Sequence, residues 1–263
     1  RVELPREVYA PWNGFLGNIV IAEIFNTGTE TLEVTVNLHT MTGKQVRAAP
    51  NPYHYRIPPQ EQRDIIINDI AGFSTDLYGV LKLSLSDNTY NGQVTYYKLV
   101  PGENFSLDDN EREQFDYVLT NPLTSPITGV SYVNFNTYQP SHVASEQSHL
   151  VPNWLTIINA ESSSATYFVV NKYDEAGKRI HPANTTGTVK ELCAVITSGL
   201  RCKVPPLGRV DVDGGHVYPG PGHIGMLELI PEDASGRYSA SLVRYGMGSD
   251  PTRYTERYRF GVY

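Results

Sequence analysis

Residues Asn26 to Lys44 read N-T-G-T-E-T-L-E-V-T-V-N-L-H-T-M-T-G-K, and residues Asn159 to Lys178 read N-A-E-S-S-S-A-T-Y-F-V-V-N-K-Y-D-E-A-G-K. Each stretch opens on Asn, runs through turn-forming residues into a β-branched segment and closes on Gly-Lys. Leu32, Val34, Val36 and Leu38 share one parity, with Glu33, Thr35, Asn37 and His39 between them. A strand has a side-chain period of two, so this predicts one apolar and one polar face.

Working outward, the same landmarks recur in the same order. Arg56 to Asp64 (R-I-P-P-Q-E-Q-R-D) answers Lys203 to Asp211 (K-V-P-P-L-G-R-V-D), and Tyr78 to Leu83 (Y-G-V-L-K-L) answers Ile224 to Leu229 (I-G-M-L-E-L). A Gly turn and a Tyr-rich run then follow in each half. The offset is 133 residues at Asn26/Asn159 and 147 at Asp64/Asp211, a drift expected from loops of different length. Further alternating runs lie at Asn18 to Phe25, Arg63 to Asn68, Gln93 to Leu99, Val130 to Tyr138, Trp154 to Asn159 and Arg237 to Tyr245. The expected fold is all-β, with two tandem antiparallel immunoglobulin-like β-sandwich domains. The first module spans residues 1–100, a connector 101–128, and a second module with a C-terminal strand 129–263. A parallel sheet is excluded, since its crossovers need a dozen or more residues and usually a helix.

The pattern of Asn turn, V-x-V strand, Gly-Lys hairpin, Pro-Pro bend and Asp-bearing strand resembles the immunoglobulin-like modules strung along bacterial surface proteins, of the CARDB and related adhesion-associated kind. The matching stretches are Asn26 to Lys44, Pro58 to Asp64, Asn159 to Lys178 and Pro205 to Asp211, and the likeness covers most of the chain. It implies a β-sandwich in an extracellular setting. Such modules share no catalytic residues, so no site carries over.

Composition narrows the function classes. The 263 residues are 40% hydrophobic and 19% charged, with 21 basic against 28 acidic residues and a net charge of −7. That allows a sizeable core and disfavours nucleic acid as a partner, because an acidic surface is repelled by phosphates. No run approaches the roughly 18 apolar residues of a membrane helix, and Arg1 to Ala10 is too polar for a signal peptide. A start at Arg1 rather than Met is what a processed form, or a piece of a longer chain, would show.

The only cysteines are Cys193 and Cys202. A turn at Ser198-Gly199 between short strands would bring them within disulfide range, and a bridge fits a secreted chain. The metal candidates are Asp211 and Asp213, whose carboxylates at i and i+2 with glycines beyond could hold calcium, and His216 with His223 downstream as a zinc pair. The competing reading is that an Asp recurring at this point bonds a neighbouring loop backbone. No cofactor is expected. GxSxG, HExxH, GxGxxG and GxxxxGK(S/T) are all absent from the sequence, so no enzymatic reaction is nominated.

Aromatic residues nominate binding positions. Trp12 and Phe15 read as part of a Pro-Trp-Asn-Gly loop, and Tyr53 and Tyr55 flank His54 in a Pro- and Asn-containing stretch. They would either cap the sandwich ends or stack on a protein or sugar. From Arg253 to Tyr263, Tyr254 and Tyr258 alternate with Arg257 and Arg259. Such a strand would finish its own sheet or add to the edge of another copy, its arginines meeting the acidic Ser106 to Phe115 segment. The expected role is a non-enzymatic extracellular or cell-surface structural or adhesive protein acting by protein contacts or self-association. A carbohydrate-binding accessory module using Trp12, Tyr53 and Tyr55 is the alternative.

Overall fold

In the computed structural model of the chain, the described residues are 6–14, 18–46, 52–71, 77–99, 115–138, 152–181, 192–247 and 254–261. They fall into two compact units, 1–126 and 127–263.

The first unit contains β1 (Glu7–Asn13), β2 (Asn18–Asn26), β3 (Leu32–Thr40), β4 (Tyr53–Ile57), β5 (Gln62–Ile66), the short helix α1 (Ile67–Ala71), β6 (Tyr78–Leu85), β7 (Tyr90–Leu99) and β8 (Phe115–Pro122). They form two antiparallel sheets, ordered β1-β6-β3-β4 and β5-β2-β7-β8. The predicted alternation is the reason: Leu32, Val34, Val36 and Leu38 of β3 are buried together with Val20, Ala22 and Ile24 of β2 from the other sheet. One core between two sheets is the layout of a β-sandwich, and each buried Val, Leu or Ile contributes about 1.5 to 3 kcal/mol of transfer free energy.

The second unit contains β9 (Ser131–Asn136), β10 (Asn153–Asn159), β11 (Thr166–Asp174), β12 (Arg179–Ile180), β13 (Cys193–Ile196), β14 (Gly199–Val204), β15 (Arg209–Asp213), β16 (Ile224–Pro231), β17 (Tyr238–Met247) and β18 (Tyr254–Gly261). Its sheets run β9-β16-β11-β14-β13, with β12 also on β11, and β15-β10-β17-β18. Apart from the additions β12 and β13, the strand order is that of the first unit. Its core is built the same way, from Phe168 and Val170 of β11, Leu155 and Ile157 of β10, and Leu227 and Leu229 of β16.

Shared turn details accompany the shared order. Asn26 ends β2 and Asn159 ends β10, both fully buried. The Asn26 Oδ1 accepts from the Gly28 N–H at 2.9 Å, and its Nδ2 donates to the carbonyls of Glu30 (2.7 Å) and Ile57 (2.9 Å). Asn159 accepts from the Glu161 N–H at 2.9 Å and donates to Ser164 O (2.8 Å) and Val204 O (3.1 Å). Both Pro-Pro bends place a non-glycine residue in the left-handed region, Gln60 at φ 61° and Leu207 at φ 52°.

Three expectations change. Residues 115–122 of the expected connector form β8, which pairs with β7 so that Leu119 faces Tyr96, and Leu123 joins the core. Its Pro122 and Asn121 read as linker punctuation, yet an edge strand tolerates both. The strand expected over Arg63 to Asn68 ends at Ile66. There Asn68 replaces backbone pairing with its side chain, accepting from Val20 N–H at 2.8 Å and donating to Asn18 O at 3.0 Å, while α1 buries Ile67 and Ile70. Trp12 belongs to β1 rather than to a loop.

Candidate functional site

Trp12 is 2% exposed and its indole N–H donates to the His39 carbonyl at 3.1 Å. It lies opposite Gly79, where a Cβ would stand 1.9 Å from that same carbonyl oxygen. The Pro-Trp-Asn-Gly stretch looked like a turn, but β1 is an edge strand, where Pro11 is allowed. Trp12 is therefore core and offers no stacking platform. Phe15 lies outside the described residues.

Tyr53 and Tyr55 lie on β4, not in a loop, half-buried against the core with their rings stacked at 6.3 Å and 16°. The Arg63 guanidinium stands 5.7 Å from the Tyr55 ring centre. Burial, reinforced by Tyr53, raises the Tyr55 phenol above its ordinary value.

Tyr254, Arg257, Tyr258 and Arg259 lie on β18, which pairs with β17 in the register Tyr258 to Arg244 and Arg259 to Val243. This strand finishes its own sheet. The acidic stretch expected to meet its arginines lies, through residue 114, outside the described residues.

Cys193 and Cys202 face each other across β13 and β14 and form a disulfide, both residues buried. The carboxylate oxygens of Asp211 and Asp213 accept from separate sets of protein donors. Asp211 accepts from Arg209 Nη2 at 2.8 Å and Thr156 Oγ1 at 2.7 Å, so side chains rather than loop backbone engage it. Among the described residues, no three His, Cys, Asp or Glu side chains are grouped to hold a metal.

Asp213 instead organises the loop that the sequence offered only as a metal candidate, with Lys172 as the partner that sequence reasoning did not single out. It ends β15, and its Oδ1 accepts from the N–H groups of Gly215 (3.0 Å) and Val217 (3.1 Å), while Oδ2 accepts from the Tyr218 N–H (3.2 Å). Lys172 on β11 donates to the same Oδ2 at 2.7 Å and to the Tyr218 carbonyl at 2.9 Å. His216 Nδ1 lies 2.9 Å from Asp213 Oδ1 and 3.0 Å from the Asn153 carbonyl. The Asn153 N–H also points at this Nδ1, at 3.2 Å, so the ring tautomer decides which of the three contacts is a hydrogen bond. The His216 ring meets Trp154 edge-on at 4.7 Å.

The charges are shut away from water, with 3% of the Lys172 and 4% of the Asp213 side chain exposed. Burial pushes the Lys172 ammonium below its ordinary value, against the opposing charge of Asp213. Burial pushes the Asp213 carboxyl up, but the His216 hydrogen bond and the Lys172 charge and hydrogen bond outweigh it and hold the group well below the carboxylate range.

A second anchor is Thr137, fully buried, whose Oγ1 donates to Gly220 O at 2.7 Å and accepts from the His223 N–H at 2.9 Å. Pinned at both ends by these buried groups, the loop turns Val217 (39% exposed) and Tyr218 (38%) outward. A loop fixed by buried polar groups while presenting apolar side chains suits contact with another surface, because little entropy remains to be lost on binding. One sequence signal pointed here: Lys172 shares the inward parity of Phe168 and Val170, and a lysine on an apolar face needs a counter-charge.

No family model and no curated protein matches this chain. Among solved structures, the crystal structure of Thermotoga maritima 1070 is similar to part of it, at 13% identity and a TM-score of 0.33, covering 46% of this chain and 95% of that one.

Proposed function

We propose that the chain is a non-enzymatic extracellular or cell-surface protein, two copies of one immunoglobulin-like module, acting as a structural or adhesive element through protein contacts, including contacts with its own kind. The observation that carries this reading is the pinned loop of the second unit, which exposes Val217 and Tyr218 above the buried Lys172–Asp213 pair. The strand order common to both units and the twin roles of Asn26 and Asn159 support duplication of one module. The disulfide fits an oxidising compartment. Among the described residues no helix is long and apolar enough to cross a membrane.

Particle size across a concentration series tests the proposal. Association is expected, and it should fall away in a Val217→Ser, Tyr218→Ser double variant that stays folded. A monomer at all concentrations removes self-association, and failure of the folded wild type to adhere to any immobilised protein surface removes the remainder.

The stacked Tyr53 and Tyr55, with Arg63 above one ring, favour a second reading, a carbohydrate-binding accessory module resting on these two residues without Trp12. Binding on a glycan array that vanishes in Tyr55→Ala would favour it over the first.

A further inference from the structure

At two equivalent register positions the first unit carries hydrocarbon, a buried Leu38 and a half-buried Ile66, where the second carries charge. Leu38 faces Leu81 across β3 and β6, and Lys172 faces Leu227 across β11 and β16. Ile66 faces Ile21, and Asp213 faces Trp154. Register therefore equates Leu38 with Lys172 and Ile66 with Asp213. A buried ion pair is commonly no more stabilising than the apolar residues it replaces. Stability alone thus gives no reason for the exchange, and chemistry between the two groups does.

We propose that Lys172 and Asp213 condense in the folded chain to an intramolecular amide joining β11 of one sheet to β15 of the other.

The amine and the carboxyl are held in contact, at 2.7 Å, by strands of opposite sheets. Fixing two reactants this way replaces a bimolecular encounter with an effective concentration far above any attainable in solution. The remaining groups divide between the two oxygens. Oδ1 takes the Gly215 and Val217 N–H groups, two donors placed where negative charge grows when nitrogen adds to the carboxyl carbon, with His216 Nδ1 2.9 Å away. Oδ2 takes the lysine at 2.7 Å and the Tyr218 N–H at 3.2 Å, and is the oxygen that leaves.

The atoms balance without a further reactant. One proton passes from Nζ to Oδ2, turning ammonium and carboxylate into amine and acid. The Nζ lone pair then bonds to Cγ, a second proton follows to Oδ2, and the Cγ–Oδ2 bond breaks to release water. The third proton stays as the amide N–H, and nothing is oxidised or reduced. Burial assists by favouring the uncharged amine and by keeping bulk water from reversing the step, while the contacts that hold Asp213 ionised oppose the first proton transfer. None of this depends on what the protein binds.

The test is the intact mass of the purified full chain with its disulfide in place, followed by tryptic mapping. The expected mass is one water below that of the disulfide-bonded sequence, with no cleavage after Lys172 and a branched peptide containing both Lys172 and Asp213. A Lys172→Met variant, folded or not, should show its full sequence mass. A wild-type mass equal to the sequence, or a water loss that maps to other residues, overturns the proposal.

Discussion

Asn26 and Asn159 are buried at matching corners of the two units, each bridging the turn that follows its own strand to the carbonyl immediately before a Pro-Pro bend. Each side chain satisfies backbone groups that water cannot reach at that corner. Replacing either by Ala should therefore cost about 3 kcal/mol, since stranded buried groups lose their full hydrogen-bonding partners. Asn→Asp should also destabilise, because it keeps the acceptor but removes the donor. Urea midpoints measure this, and values indistinguishable from wild type would refute the role.

Trp12→Ala should cost about 3 to 5 kcal/mol, the range for emptying a buried Trp site. Thermal melting distinguishes this from the loss of an exposed binding residue, which would leave the melt unchanged.

Breaking the disulfide by Cys193→Ser and Cys202→Ser together should lower stability by about 2 to 3 kcal/mol, the value for closing a loop of this length. Denaturant melts with and without reductant should reproduce the difference in the wild type and show none in the double variant.

Tyr90 on β7 is buried, and burial raises its phenol to about 12 from the ordinary 10.0. The sign follows from the protonated form being favoured in the fold. Its contribution is complete below pH 10.0 and is lost as the pH climbs from there to about 12. The loss amounts to at most about 3 kcal/mol. Tyr90→Phe should flatten that limb of the stability curve, and an unchanged alkaline slope would argue against the assignment.

Much of this architecture could be read before the coordinates. Wherever one face is buried, as in β3 with Leu32, Val34, Val36 and Leu38, the period of two showed plainly, and the cysteine pair required only a two-strand hairpin. Elements with weaker local signals were missed. β1 has nearly every residue buried and so no alternation, β4 is only five residues beside a Pro, and α1 depends on Asn68 reaching a strand 48 residues earlier. The charged loop was hidden for a related reason. Lys172 and Asp213 lie 41 residues apart, and only the closing of two sheets brings them together. The aromatic positions went astray because Pro11 and Asn13, which lie on the edge strand β1 beside Trp12, and Pro52, just before the edge strand β4, imitate turns.

Within the described residues, β14 carries one more strand, β13, locked to it by the disulfide, whereas its counterpart β4 ends its sheet. Unsatisfied strand rims template foreign chains. In crowded refolding, the rim bearing Tyr53 and Tyr55 is accordingly where cross-chain fibrillar stacking should nucleate, while the corresponding rim of the later half is the four-residue β13, tethered to β14 by its bridge.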